Sequence, residues 1–155
     1  MQYTFAPMEG ITNHLYRNAH KDCFTPADRY FIPFVSAKGK GFTGREKRDI
    51  DPANNQGLYV VPQVMSNDAD SFMWVANELI ARGYEEINLN LGCPSSTVIS
   101  KGKGAGFLGR PEALERFLSE IFDRCPVRIS LKTRLGMKDP AEFERILAIY
   151  NRFPV

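Results

Sequence analysis

With 155 residues, 43% of them hydrophobic and 25% charged, the chain has ordinary globular usage and enough length for one domain with a real core, which excludes a disordered or fibrous protein. Its apolar runs break off well short of the roughly 18 residues of a membrane span, and the start MQYTFAPMEG has no basic region followed by an apolar stretch, so a cytoplasmic protein without a membrane partner is expected. A formal charge of +2 does not by its size mark a nucleic-acid protein, and Cys23, Cys93 and Cys125, widely spaced and without a CxxC pair, point to free thiols in a reducing compartment rather than to a metal site or disulfides.

Short β-branched or aromatic runs alternate with segments of helical apolar spacing, the pattern of βα units on a parallel sheet. YTFAPM predicts a strand over 3–8, followed by a helix over 11–21. RYFIPFVSA predicts a second strand over 29–37 that leads into a long polar loop. YVVPQV predicts a third over 59–64, then a helix over 69–81. EINLNL predicts a fourth over 86–91, and the glycine-rich stretch after it ends at a helix over 111–122, with Pro111 in a favoured first-turn position. VRISLKTRL predicts a fifth strand over 127–135 before a helix over 140–151, and the closing FPV reads as the threshold of a sixth strand. Five βα units fit an open doubly wound sheet or the first part of an eightfold barrel, and the end of the chain favours the second. The expected fold is α/β, a partial (β/α)8 TIM barrel comprising about the first five βα units, with residues 1–155 as one partial catalytic domain; a closed barrel needs at least roughly 200 residues.

Sites in such folds gather at the carboxyl ends of the strands. Lys38, Lys40, Arg45, Lys47 and Arg48 outnumber Glu46 and Asp49 in the loop over 38–49, and Lys101, Lys103 and Arg110 are unopposed over 95–110. That face is expected to be basic and suited to an anionic partner, diluted by Asp68 and Asp70; solvated loops kept soluble by lysines are the alternative. GAGFLG over 104–109 matches the dinucleotide fingerprint in letters, but the preceding strand ends at Leu91, too early for a helix N-terminus to meet a pyrophosphate. It reads instead as a flexible loop, long enough to act as a lid.

Cys93 is held extended by Pro94 at a strand end. An unperturbed thiol is mostly protonated at neutral pH, so it can donate a proton as well as act as a nucleophile. His14 and His20, read as surface residues of the first helix, offer it no base, which argues against a Cys-His hydrolase; Cys23 and Cys125 read as buried structural cysteines. Asn88 and Asn90 share one face of the fourth strand, opposite Leu89 and Leu91. Lys132 and Arg134 share one face of the fifth, and a lysine inside a barrel strand is costly unless it meets an anion or an acceptor. Gln63 adds another inward amide. A cavity lined by Gln63, Asn90, Cys93, Lys132 and Arg134 suits a planar heterocycle with several carbonyl oxygens.

APMEGIT near the first strand, VPQV at the third, NLNLGCPSSTV with GKGAGFLGRPEAL at the fourth and SLKTRLG at the fifth, in this order and spacing, resemble the tRNA-dihydrouridine synthases. The resemblance covers essentially the whole chain and about the amino-terminal half of a typical member. It implies an FMN-containing TIM barrel followed by a helical tRNA-binding domain, and the reduction of the 5,6 double bond of a uridine in tRNA with NADPH refilling the flavin. By this resemblance Pro7 and Met8 frame the flavin, Gln63 and Lys132 hydrogen-bond its ring, and Asn90 orients the target uracil. Cys93 protonates carbon 5 after hydride reaches carbon 6, and Arg134 supports the site. The sequence departs from the family pattern at Asn88 and Asn13, where acidic residues are common. Strands six to eight, the late-strand phosphate site for FMN and the helical domain are not among these residues. The chain is therefore expected to retain little FMN by itself and to self-associate through open sheet edges as a homo-oligomer. Two other readings stand beside this one. A different FMN-dependent barrel, such as a dihydroorotate dehydrogenase relative, shares a Cys-Pro loop and a strand lysine, although GCPSSTV and the basic face favour RNA. The other is a non-enzymatic, self-associating remnant.

Overall fold

The computed structural model describes residues 1–36 and 41–155, so Lys38 and Lys40 of the expected basic loop lie outside the described residues. Five strands, β1 (Thr4–Phe5), β2 (Arg29–Val35), β3 (Val60–Val64), β4 (Glu86–Leu91) and β5 (Arg128–Thr133), pair in parallel in sequence order and curl into half a barrel. The helices are α1 (His14–Cys23), α2 (Gly44–Asp49), α3 (Ala69–Ile80), α4 (Ser96–Ile99), α5 (Ala105–Leu108), α6 (Pro111–Arg124) and α7 (Phe143–Tyr150), with 3-10 turns at Pro52–Asn55 and Pro140–Glu142. This is the α/β partial TIM barrel that the alternation predicts. Among the described residues no helix is long and apolar enough to cross a membrane.

The two helices behind the sheet owe their seat to apolar spacing. Phe72, Val75, Ala76 and Leu79 of α3 and Leu114, Phe117, Leu118 and Ile121 of α6 each repeat at i, i+3, i+4, i+7, and all are buried. They pack on Ile87, Leu89 and Leu91, the outward residues of β4. Asp68 starts α3, its Oδ2 accepting from the Ser71 amide at 2.8 Å. Register then carries the site: Gln63 lies beside Asn88, Asn88 beside Ser130, and Asn90 beside Lys132.

Several boundaries differ from expectation, for identifiable reasons. β1 holds two residues rather than six, because the chain turns out of the sheet where Met8 O accepts from the Ile11 and Thr12 amides at 3.1 and 3.0 Å. The polar loop after β2 contains α2, started by a capping box in which Thr43 and Glu46 serve each other's backbone. Residues 153–155 form no strand; Phe153 stacks on Phe122 with ring centroids 5.3 Å apart. The stretch over 92–110 is folded rather than loose. It contains α4 and α5, all four residues of α5 are buried, and a Cβ on Gly104 would lie 2.8 Å from the Cys93 carbonyl oxygen. Gly104, Gly106 and Gly109 serve close approach, since a Cβ at each would come within 2.8 Å of a neighbour.

The histidines and cysteines differ too. His14 Nδ1 lies 3.1 Å from Asp49 Oδ1, and His20 Nδ1 lies 3.0 Å from the Tyr30 hydroxyl, so both are part-buried and bonded. Cys23 is exposed and Cys125 half-buried, so neither is the fully buried thiol expected. Burial pushes the Cys125 thiol above its ordinary value. Asp49 belongs to a cluster around Arg17, whose guanidinium is fully buried and donates to Thr12 O at 2.8 Å, Asp49 O at 2.9 Å and Asn55 Oδ1 at 2.8 Å. Desolvation pulls the Arg17 pKa below its usual value, opposed by the nearby Asp49 carboxylate. The cluster fastens the segment after β1 to the end of α2.

Candidate active site

The segment after β1 and the carboxyl ends of β3, β4 and β5 enclose a hollow of about 250 Å³, and Pro7, Met8, Gln63, Asn90, Cys93 and Lys132 all line it. A second hollow of about 210 Å³ continues toward the barrel interior and shares Pro7 and Lys132. Six of the seven residues singled out from the sequence therefore meet around one space. Arg134 does not line it. It is exposed and borders a hollow of about 260 Å³ along residues 134–140, with its Cγ 3.5 Å from where a Cβ on Gly92 would sit.

Cys93 is fixed by its backbone. Its N–H donates to Asn90 Oδ1 at 3.0 Å and its carbonyl accepts from the Ala105 amide at 3.0 Å, while the side chain stays half-buried at the cavity wall. Asn90 also accepts from the Gly92 amide at 3.0 Å, so this one side chain organises the turn that follows β4. Alternation along β4 sends Glu86, Asn88 and Asn90 into the barrel interior, where all three are buried. Buried polar groups need partners, and here they find each other. Asn90 Nδ2 donates to Gln63 Oε1 at 2.7 Å, Gln63 Nε2 to Asn88 Oδ1 at 2.7 Å, and Asn88 Nδ2 to Ser130 Oγ at 3.0 Å. Ser130 donates to Glu86 Oε1 at 2.8 Å, and Glu86 is paired with Arg29 at 3.2 Å and Arg128 at 3.8 Å.

Sequence reasoning missed Ser130, Glu86 and Arg29. The signal for Glu86 was present, since it precedes Asn88 and Asn90 at the same alternating spacing. Lys132, expected inside the barrel, is exposed, because β5 has a strand neighbour on one side only among the described residues. It lines both hollows and has no anionic partner among the described residues. The basic character of the face is partly compensated. Arg45 pairs with Glu9 at 3.7 Å, and Lys103 lies near enough to Asp68 to help hold its carboxyl below the usual range. Among the described residues no group of three or more His, Cys, Asp or Glu side chains could hold a metal ion.

Chemically, the site offers a fixed thiol, two buried amides and a cation along one wall of a slot.

A family model described as Dihydrouridine synthase (Dus) matches residues 4–151. A probable tRNA-dihydrouridine synthase of Staphylococcus epidermidis is 28% identical over 145 residues, covering 91% of this chain and 43% of that protein. A probable tRNA-dihydrouridine synthase of Staphylococcus aureus is 26% identical over 146 residues, with 92% and 43% covered. A probable tRNA-dihydrouridine synthase 1 of a Synechocystis species is 26% identical over 136 residues, with 86% and 37% covered. The chain thus spans less than half the length of these curated relatives.

Proposed function

The chain belongs to the dihydrouridine synthase family, and on that footing we propose that it is the partial barrel of an enzyme that reduces a uridine of tRNA to 5,6-dihydrouridine, with FMN as cofactor and NADPH as reductant. What supports the reading is the convergence of Pro7, Met8, Gln63, Asn90, Cys93 and Lys132 on one hollow. The donor set fits a flavin ring: the Lys132 ammonium and the Gln63 amide face the same space, and the ring offers carbonyl oxygens and ring nitrogens as acceptors.

FMN, when bound, supplies hydride to carbon 6 of the uracil. Pro7 and Met8 would border the ring, and Gln63 and Lys132 would hydrogen-bond its acceptor edge. Asn90 orients the uracil, and Arg134, beside Gly92 and outside the hollow, supports the site. The Cys93 thiol gives its proton to carbon 5, so that hydride and proton together saturate the double bond, and the thiolate regains a proton from water. No histidine is needed for this step, since a neutral thiol is itself the acid. By the same reading the protein works in the cytoplasm. We also propose that the chain self-associates, because the outer edges of β1 and β5 carry no partner strand among the described residues.

The test is to purify the chain, titrate it with FMN, and assay dihydrouridine formation on an unmodified tRNA transcript with NADPH. Flavin binding with dihydrouridine produced supports the reading; a chain that binds FMN and reduces dihydroorotate's oxidised partner instead would move it to the other flavin barrels. Sedimentation equilibrium at several concentrations checks the association, and a monomer throughout would remove that part.

A further inference from the structure

We propose that Asn88, Ser130 and Glu86 are positioning residues: they complete a one-way hydrogen-bond relay that obliges Gln63 and Asn90 to turn N–H groups, not carbonyl oxygens, toward the cavity, so that the site reads an acceptor edge. The inference rests on the functional reading above, because it takes that cavity as the ligand site.

The direction of the relay is imposed at both ends. At the upper end the backbone N–H groups of Gly92 and Cys93, which can only donate, both reach Asn90 Oδ1 at 3.0 Å. The Asn90 nitrogen is therefore the atom 2.7 Å from Gln63, which must meet it with Oε1. Gln63 then has its nitrogen left for Asn88 Oδ1 at 2.7 Å, and Asn88 its nitrogen for Ser130 Oγ at 3.0 Å. The Ser130 proton remains for Glu86 Oε1 at 2.8 Å. At the lower end the Glu86 carboxylate, held between Arg29 and Arg128, can only accept. Both ends demand the same polarity. Flipping one amide alone would set N–H against N–H, or oxygen against oxygen. Glu86 is 4%, Asn88 2% and Gln63 1% exposed, so bulk water is poorly placed to repair such a fault.

The consequence falls on the ligand. Each amide nitrogen carries two N–H groups and the relay uses one of each. The second N–H of Gln63 and of Asn90 has no protein acceptor among the described residues, and both side chains line the cavity. The Asn90 oxygen is already taken by two amides. Together with Lys132, the cavity wall shows donors. A planar ligand with carbonyl oxygens or unprotonated ring nitrogens along that edge is accepted, and one with N–H groups there leaves donors facing donors. The amide at Asn88 is what extends the relay. A carboxylate there would accept from Gln63 and Ser130 alike and leave Glu86 outside it.

Trans-hydrogen-bond couplings between nitrogen and carbon, measured on the isotope-labelled chain, read the polarity directly. We expect couplings from Asn90 Nδ2 to Gln63 Cδ and from Gln63 Nε2 to Asn88 Cγ. Couplings in the opposite sense, or side-chain amide protons that exchange with water as fast as free ones, would overturn the relay. FMN, as the acceptor-edged probe, is then titrated into the chain, Ser130→Ala and Ser130→Thr. The alanine variant, in which Asn88 loses its lower anchor, should keep the sense of the Gln63 to Asn88 coupling but weaken it, and bind about tenfold more weakly, whereas the threonine variant, which keeps the hydroxyl, should retain the coupling at full strength and the affinity. Equal losses in the two variants would assign Ser130 to packing and overturn its positioning role. Failure of every form to bind FMN is the outcome expected if the late-strand phosphate site is indispensable, and the couplings in the chain and in the two Ser130 variants then decide the relay by themselves.

Discussion

β4 has two faces that share one backbone and almost nothing else. Ile87, Leu89 and Leu91 point to the helices and are fully buried among apolar side chains, while Glu86, Asn88 and Asn90 point into the barrel, equally buried but joined by hydrogen bonds. The first face gains stability with every methylene removed from water. The second gains little net stability, because its hydrogen bonds replace ones made to water, and an apolar substitute of similar shape is often no worse. A polar face this deep is thus explained by what it presents at its upper end, where Cys93 and the cavity lie, and the two faces should separate cleanly under mutation.

The sharpest separation is expected from Cys93→Ala in a full-length context, which should leave flavin bound and the thermal midpoint in place and lower dihydrouridine formation by about 10² to 10⁴, as for loss of a general acid. Undiminished turnover would break the assignment. On the opposite face Leu89→Ala should do the reverse: a loss of about 2 to 5 kcal/mol in denaturant unfolding, with the surviving folded fraction binding FMN normally. Lys132→Met should weaken FMN binding by roughly tenfold to a hundredfold, the range for hydrogen bonds from a charged group, without altering the thermal midpoint. A lowered midpoint with full affinity would make Lys132 a structural residue instead. The smallest effect lies behind the sheet. Asp68→Ala should cost about 1 kcal/mol through loss of the α3 cap. Hydrogen bonds from Ser71, aided by Lys103 and Arg124, hold the Asp68 carboxyl below its usual range. That contribution is complete above the ordinary aspartate value of about 3.9 and disappears as pH falls through the lowered folded value. The midpoint difference between the chain and Asp68→Ala should therefore close in acid, and a difference independent of pH would assign the cap another cause.

The helix-facing side was the more legible in the sequence. Repeats such as Leu114, Phe117, Leu118, Ile121 carry their own periodicity, and the strand predicted over 86–91 coincides with β4. The site was legible where a motif concentrates its residues, as around Asn90 and Cys93. It was not legible where partners come from far along the chain: nothing near Ser130 announces Glu86, 44 positions away, and nothing in α1 announces that Arg17 is buried against Asn55, 38 positions on. The capping box at Thr43 and Glu46 was spelled out in TGRE but lay within a run of charges that reads as loop. Glycine misleads for a different reason. The same letter permits flexibility and close packing, and only the neighbours decide between them.

Those neighbours also set how this stretch can change over generations. A methyl group at residue 104 would meet the Cys93 carbonyl oxygen at 2.8 Å, and one at residue 106 the Ile99 carbonyl oxygen at 2.7 Å. A heritable change at residue 104 must shift the segment that carries the thiol and one at residue 106 must shift the end of α4, whereas the exposed Lys101 on the outside of the same turn is free to vary. Divergence is therefore channelled: descendants of this sequence can rewrite the charge and partners of the turn while inheriting its internal spacing unaltered.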